Sequence, residues 1–111
     1  MQKPAITIEE FNKLDIRVCR VIEAERIPGK QKLLKLLVDL GPLGTRTIIA
    51  GGGEHYNPED YKGKLFIAII NLQPKTIAGI KSEGMLLAAD QNGKPIWLTT
   101  ISETPPGTII R

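Results

Sequence analysis

Cysteine and histidine are nearly missing from this chain, one of each in 111 residues. A single thiol, Cys19, can close no intrachain bridge, which suits a reducing compartment and reads as a buried structural thiol. His55 lies beside Glu54 in a loop, so it pairs with Cys19 or Ser82 only by arbitrary long-range assembly. One histidine and one cysteine also make no coordination shell, so neither catalysis nor a metal or cofactor is expected. Long apolar runs are missing too. Nothing approaches the ~20 residues of a membrane span, and Met1-Gln-Lys-Pro4 lacks the apolar stretch of a signal peptide, so a cytoplasmic protein is expected. Aromatic rings are few: Phe11, Tyr56, Tyr61, Phe66 and Trp97. Phe11, Phe66 and Trp97 fall in apolar patterns, which leaves the tyrosines as the exposed rings. A reader of single strands, which stacks successive bases on several aromatic faces, is therefore disfavoured.

What is present is an ordinary globular composition, 41% hydrophobic and 24% charged, in a length that makes one domain, residues 1–111. The net charge of +3 is modest but uneven. Residues 1–60 balance nine basic against nine acidic side chains, whereas residues 61–111 carry six against three. Two windows have no acid at all: Arg26 to Val38, with Lys30, Lys32 and Lys35, and Tyr61 to Ser82, with Lys62, Lys64, Lys75 and Lys81. Such patches select anions.

Local signals divide the chain into short strands. Thr7-Ile-Glu-Glu10 is a capping box that starts a helix ending near Asn12. From Asp15 the pattern has period two and slips by one at Arg20-Val21-Ile22, as a bulge in a curving strand would make it. Pro28-Gly29 turns into a second strand with Leu34, Leu36, Val38 and Leu40 on one face. A third runs from Thr45 to Ala50. Gly51-Gly-Gly53 lacks the Lys-Ser/Thr ending of a phosphate loop and reads as a mobile connector. Asn57-Pro58-Glu59-Asp60 gives one helical turn. Leu65 to Leu72 is a strand whose Leu65–Ile70 part is apolar on both faces, so one face needs a cover such as a partner subunit. Met85–Ala89, a turn at Asn92-Gly93, Pro95–Ile101 and a short Thr108–Ile110 complete the pattern. It predicts an all-β fold, a five-stranded Greek-key OB barrel with short helices and additional C-terminal strands.

Between the fourth strand and Met85 lies Asn71-Leu-Gln-Pro-Lys-Thr-Ile-Ala-Gly-Ile-Lys-Ser-Glu-Gly84, where Pro74 and Gly79 argue against a regular ladder. The loop is rich in donors, and Lys75 and Lys81 flank Gly79. The run Asn-Leu-x-Pro-x-x-x-x-Gly-x-x-Ser-x-Gly-Met-x-Leu-Ala-Ala resembles the signature of the tRNA-binding domain. That family occurs as a free small protein and as the C-terminal or beta-subunit part of methionyl-tRNA synthetases. The similarity extends to Phe11-x-x-Leu-Asp-Ile-Arg-Val18, Lys32-Leu-Leu-Lys-Leu36 and Pro106-Gly-Thr-Ile-Ile110. It implies a homodimer that grips the outside corner of tRNA independently of the anticodon, and a possible partner in the synthetase catalytic chain. The matching positions are Lys32, Asn71, Lys75, Ser82 and Met85; the acid-free loop adds Lys81. Asn71 and Ser82 could equally satisfy backbone, and Met85 could be core. Two departures from the pattern are Lys30-Gln31, which makes that turn more basic, and Gly51-Gly-Gly53. A secretion-related chaperone of the same fold is the alternative.

Overall fold

The computed structural model describes all 111 residues. Its organising element is β1 (Ile16–Ile27), a strand long enough to serve three neighbours. Its first half pairs with β4 (Leu65–Ile69) on one edge and with β10 (Ile109–Ile110) on the other; its second half pairs with β2 (Lys30–Asp39). The change of partners is possible because the strand bends. The β1–β2 register shifts between Val21 and Glu23, so Ile22 is the bulged residue the sequence predicts.

β3 (Thr45–Ala50) extends the sheet beyond β2, and β7 (Met85–Leu86) extends it beyond β4, giving the antiparallel order β3-β2-β1-β4-β7. This is the all-β OB-type arrangement. The two edges meet at a seam rather than through a continuous ladder: Glu83 N–H donates to the Thr47 carbonyl at 2.8 Å, and Ile49 N–H donates to Ser82 Oγ at 3.0 Å. Two further hairpins stand off the barrel, β5 (Lys75–Ile77) with β6 (Ile80–Ser82) and β8 (Ala88–Gln91) with β9 (Lys94–Trp97).

Alternation in β2 buries Leu34, Leu36 and Val38 completely, and with Leu40, Ile48, Phe66, Ala68 and Tyr61 they fill the barrel. Each large apolar side chain so buried contributes about 1.5–3 kcal/mol. Leu65 and Ile67 point the other way, into a second small core with Ile16 and Val18. Phe11, from helix α1 (Ile8–Phe11), packs on it with Leu87 and Ile110. The outer face of β4 is thus covered by the chain itself, which corrects the inference that the doubly apolar strand needs a partner subunit.

The capping box of α1 is present, with Glu10 N–H on the Thr7 hydroxyl at 3.1 Å and the Thr7 amide on the Glu10 carboxylate at 3.1 Å. The expected turn after Asn57 is a 3-10 turn over Pro58–Asp60. β4 ends at Ile69, short of Leu72. The Met85–Ala89 strand is broken at Leu87, and the strand after Asn92-Gly93 stops at Trp97. No helix is long and apolar enough to cross a membrane.

Four arginines act as staples. Arg17 donates to the Asp15 carboxylate at 2.6 Å and to the Gly107 carbonyl at 3.0 Å, and Arg20 to the Gly63 carbonyl at 2.9 Å and to Glu103. Arg46 donates to the Ile70 carbonyl at 2.5 Å. Arg26 donates to the carbonyls of Gly53 at 2.9 Å and Tyr56 at 3.2 Å and to Asn57 Oδ1 at 3.0 Å. Consequently the Gly51–Gly53 stretch is pinned and is not the mobile connector its composition suggests. Gly53 N–H also donates to the Lys32 carbonyl at 3.1 Å, so close to β2 that a Cβ would lie 2.4 Å from the Gln31 carbonyl oxygen.

Candidate nucleic-acid interface

The segment after Asn71 forms a hairpin, contrary to the expectation of no regular ladder. Lys75 pairs with Ser82, Thr76 with Lys81, and Ile77 with Ile80. Pro74 stands just before the ladder, where its missing N–H costs nothing. Ala78 (φ 52°) and Gly79 (φ 78°) make the two-residue turn; a hairpin of this kind needs positive φ at both positions, and Ala disguises it.

Cross-strand partners share a face. Lys75, Ile77 and Ser82 therefore face one way, and Thr76 and Lys81 the other. The first face closes over a groove of about 410 Å³ between the hairpin and β3, lined also by Leu33, Met85 and Trp97. The two acid-free windows meet here, Leu33 from one and Lys75 from the other. Lys75 is the single charged residue among the thirteen that line the groove, eight of which are hydrophobic.

The predicted positions take different places around it. Lys75 and Met85 line the groove, and Met85 is 47% exposed. Ser82 lines it from below at 5% exposure, its hydroxyl accepting from Ile49 N–H and donating to the Gly84 carbonyl at 3.3 Å. Asn71 is a clip away from the groove: its Oδ1 accepts from Asp15 N–H at 2.8 Å and its Nδ2 donates to the Lys13 carbonyl at 2.6 Å. It anchors Leu72 and Gln73, which do line the groove. Lys81 lies on the opposite face of the hairpin, exposed. Lys32 lines an adjoining shallow depression with Lys30 and Glu54. None of Lys32, Lys75 and Lys81 has an acidic partner among the four ion pairs of the chain.

The rings are redistributed relative to expectation. Tyr61 is fully buried, stacked on Phe66 with centroids 5.6 Å apart, so it is no exposed reader. Burial pushes its phenol up to about 12, against the opposing pull of the Trp97 hydrogen bond. It stays neutral, accepting from Trp97 Nε1 at 3.2 Å and donating to the Gly51 carbonyl at 3.3 Å. Tyr56 is half-buried and donates to the Pro95 carbonyl at 2.7 Å. Leu72 and Gln73 belong to the donor-rich loop without being candidate contacts by themselves, and Trp97 lies outside that loop; all three line the groove. The signal for Trp97 was available in the strict alternation after Asn92-Gly93, which turns Ile96 and Leu98 outward and Trp97 inward. Cys19 is buried in the main core, and that burial raises its thiol to about 12, away from the thiolate form.

An OB-type barrel with an acid-free groove flanked by unpaired lysines defines a module for polyanions. Residues 16–109 match the family model described as "Putative tRNA binding domain", and the chain belongs to that family. It is 46% identical over 107 residues to the methionine–tRNA ligase of Archaeoglobus fulgidus, covering 96% of this chain and 16% of that protein. The chain thus spans about a sixth of the length of such a relative. A MetRS-related protein from Pyrococcus horikoshii superposes with a TM-score of 0.92 at 36% identity, covering 98% of this chain and 100% of the other. The chaperone CsaA of Bacillus anthracis superposes with a TM-score of 0.88 at 35% identity, covering 97% and 100%.

Proposed function

We propose that this domain binds tRNA as a folded shape, without catalysis of its own, through the groove face and the lysines around it. The family match over residues 16–109 carries the reading. The unpaired Lys32, Lys75 and Lys81 supply phosphate contacts, and the burial of Tyr61 removes a ring that a strand reader would use. The test is a filter-binding comparison of intact tRNA, an anticodon-stem fragment and a short single strand. Intact tRNA should bind far more tightly than either, with little dependence on amino-acid identity. Equal competition by the single strand would refute shape recognition.

We further propose that the domain works as a homodimer in the cytoplasm, alone or beside a methionyl-tRNA synthetase catalytic chain. Support comes from exposed Ile8 and Ile109, carried by the two elements whose Phe11 and Ile110 pack on the small second core, an apolar end suited to a second copy. Two copies present two groove faces to one RNA. Light scattering at micromolar concentration should give twice the 12.2 kDa chain mass. A second reading, a protein-binding chaperone, is favoured by the likeness to CsaA. Binding to unfolded polypeptide that survives high salt would select it over tRNA.

A further inference from the structure

The groove is too apolar for phosphate alone and too sparsely polar for an extended peptide backbone. Its charge is Lys75 only, and its Ser82 hydroxyl is already engaged with Ile49 and Gly84. Its rim carries bare apolar surface at Met85 and Leu72, and Gln73 adds one free amide. Trp97 lines both this groove and the neighbouring aromatic cleft. The indole is fixed by its bond to Tyr61. Its contacts with Tyr61 and Phe66 are edge-to-face, at 63° and 84° between planes, so neither ring lies parallel on it.

One ligand satisfies these features together: a flat apolar face for Trp97 and Met85, a hydrogen-bonding edge for Gln73, and an attached anion for Lys75. We propose that the groove holds a single unstacked nucleobase of the bound RNA against Trp97, with its adjoining phosphate on Lys75. This deepens the tRNA-binding reading and rests on it. The volume of about 410 Å³ lies toward the small end of the range for small-ligand sites, which suits one nucleotide better than a run of them. Shape recognition would then be registered by one inserted base, compatible with the shortage of other rings.

Trp97 is the only tryptophan, so its emission reports on the groove. Titration with unfractionated tRNA should quench it in proportion to occupancy. Heparin, a polyanion without bases, should bind the lysines and leave the emission unchanged. Trp97→Leu should weaken tRNA binding roughly 5- to 150-fold and Met85→Ala roughly 2- to 10-fold, both with the wild-type salt slope. Lys75→Ala should lower that slope. Met85 is half exposed, so its variant folds whether or not Trp97→Leu does. Unchanged emission on saturation, with undiminished affinity in Met85→Ala, overturns the base site while tRNA binding stands. Failure of the wild-type protein to bind any tRNA overturns both. Quenching by a denatured polypeptide that tRNA does not displace makes the groove a peptide site and overturns the base site as well.

Discussion

The β1–β2 hairpin and the β5–β6 hairpin each bring one basic window to the groove, but they are held differently. The first has strands of twelve and ten residues, and its turn end is locked onto the Gly53 loop, its own Arg26 donating to the Gly53 carbonyl and the Gly53 amide donating back to the Lys32 carbonyl. The second has strands of three residues, tied to the barrel by the Ser82 hydroxyl and the Glu83 amide. The contrast teaches that charge is presented from one rigid arm and one lightly tethered arm. Closing around an irregular RNA surface would call on the second, because segments with few tertiary bonds open at lowest cost.

The largest expected effect removes the floor under both arms. Unfolded, the Cys19 thiol and the Tyr61 phenol ionise near 9.0 and 10.0; folded, burial holds both up to about 12. Their neutral forms therefore support the fold fully below pH 9, and that support is lost as pH rises from 9 to 12. For the thiol the loss is about 1.4 kcal/mol per pH unit. Urea midpoints should fall steeply above pH 9, and Cys19→Ala should flatten the fall by one titrating group.

Next in size is Gly53→Val, which attacks only the rigid arm. The added Cβ meets the backbone of Gln31 and Lys32, at 2.4 and 3.0 Å, and backbone cannot yield as a flexible side chain does. Destabilisation of about 1–3 kcal/mol is expected in urea unfolding; a wild-type midpoint would mean that the loop does not clamp β2.

Ser82→Ala attacks only the tethered arm. It leaves the buried amide of Ile49 unpaired, which costs about 1–3 kcal/mol and lowers the melting temperature. Folded protein should keep its tRNA affinity and salt slope. Lost affinity at an unchanged melting point would instead put the hydroxyl on RNA. Smallest in stability are Lys32→Ala, Lys75→Ala and Lys81→Ala, each expected to reduce the salt slope by roughly 0.7–0.9 with little change in melting. Lys75 lies on the groove face and Lys81 on the opposite one, so a larger affinity loss at Lys81 would move the RNA to the far side of the hairpin.

Features whose cause is local were legible in the sequence. The Thr7–Glu10 box, the bulge at Ile22, the Asn57-Pro58 turn and the alternation of Leu34, Leu36 and Val38 each depend on residues a few positions apart. Features that depend on distant chain were not. The outer face of β4 is covered by Phe11, Leu87 and Ile110, whose convergence no local pattern announces. Tyr61 looks like a loop tyrosine until Phe66 and Trp97 enclose it. The β5–β6 hairpin escaped notice because Ala78 occupies a left-handed position usually marked by Asn, Asp or Gly. Of the candidate positions that the resemblance implies, Lys75 and Met85 line the groove, and Trp97 lines it from a strand that sequence reasoning treats as core. That Asn71 and Ser82 are engaged with backbone became visible only once Lys13, Asp15 and Ile49 were beside them.

The division between stapling arginines and unpaired lysines also separates fold from binding chemically. The guanidinium forks of Arg17, Arg20, Arg26 and Arg46 each reach a carbonyl that a lysine's compact ammonium would satisfy less well. The amines of Lys32, Lys75 and Lys81 contact no acid. On the proposed reading, acylation of surface amines would therefore switch off the surface offered to RNA while leaving the barrel intact. The same surface could be retuned over generations by exchanging lysines one at a time, without renegotiating the architecture beneath.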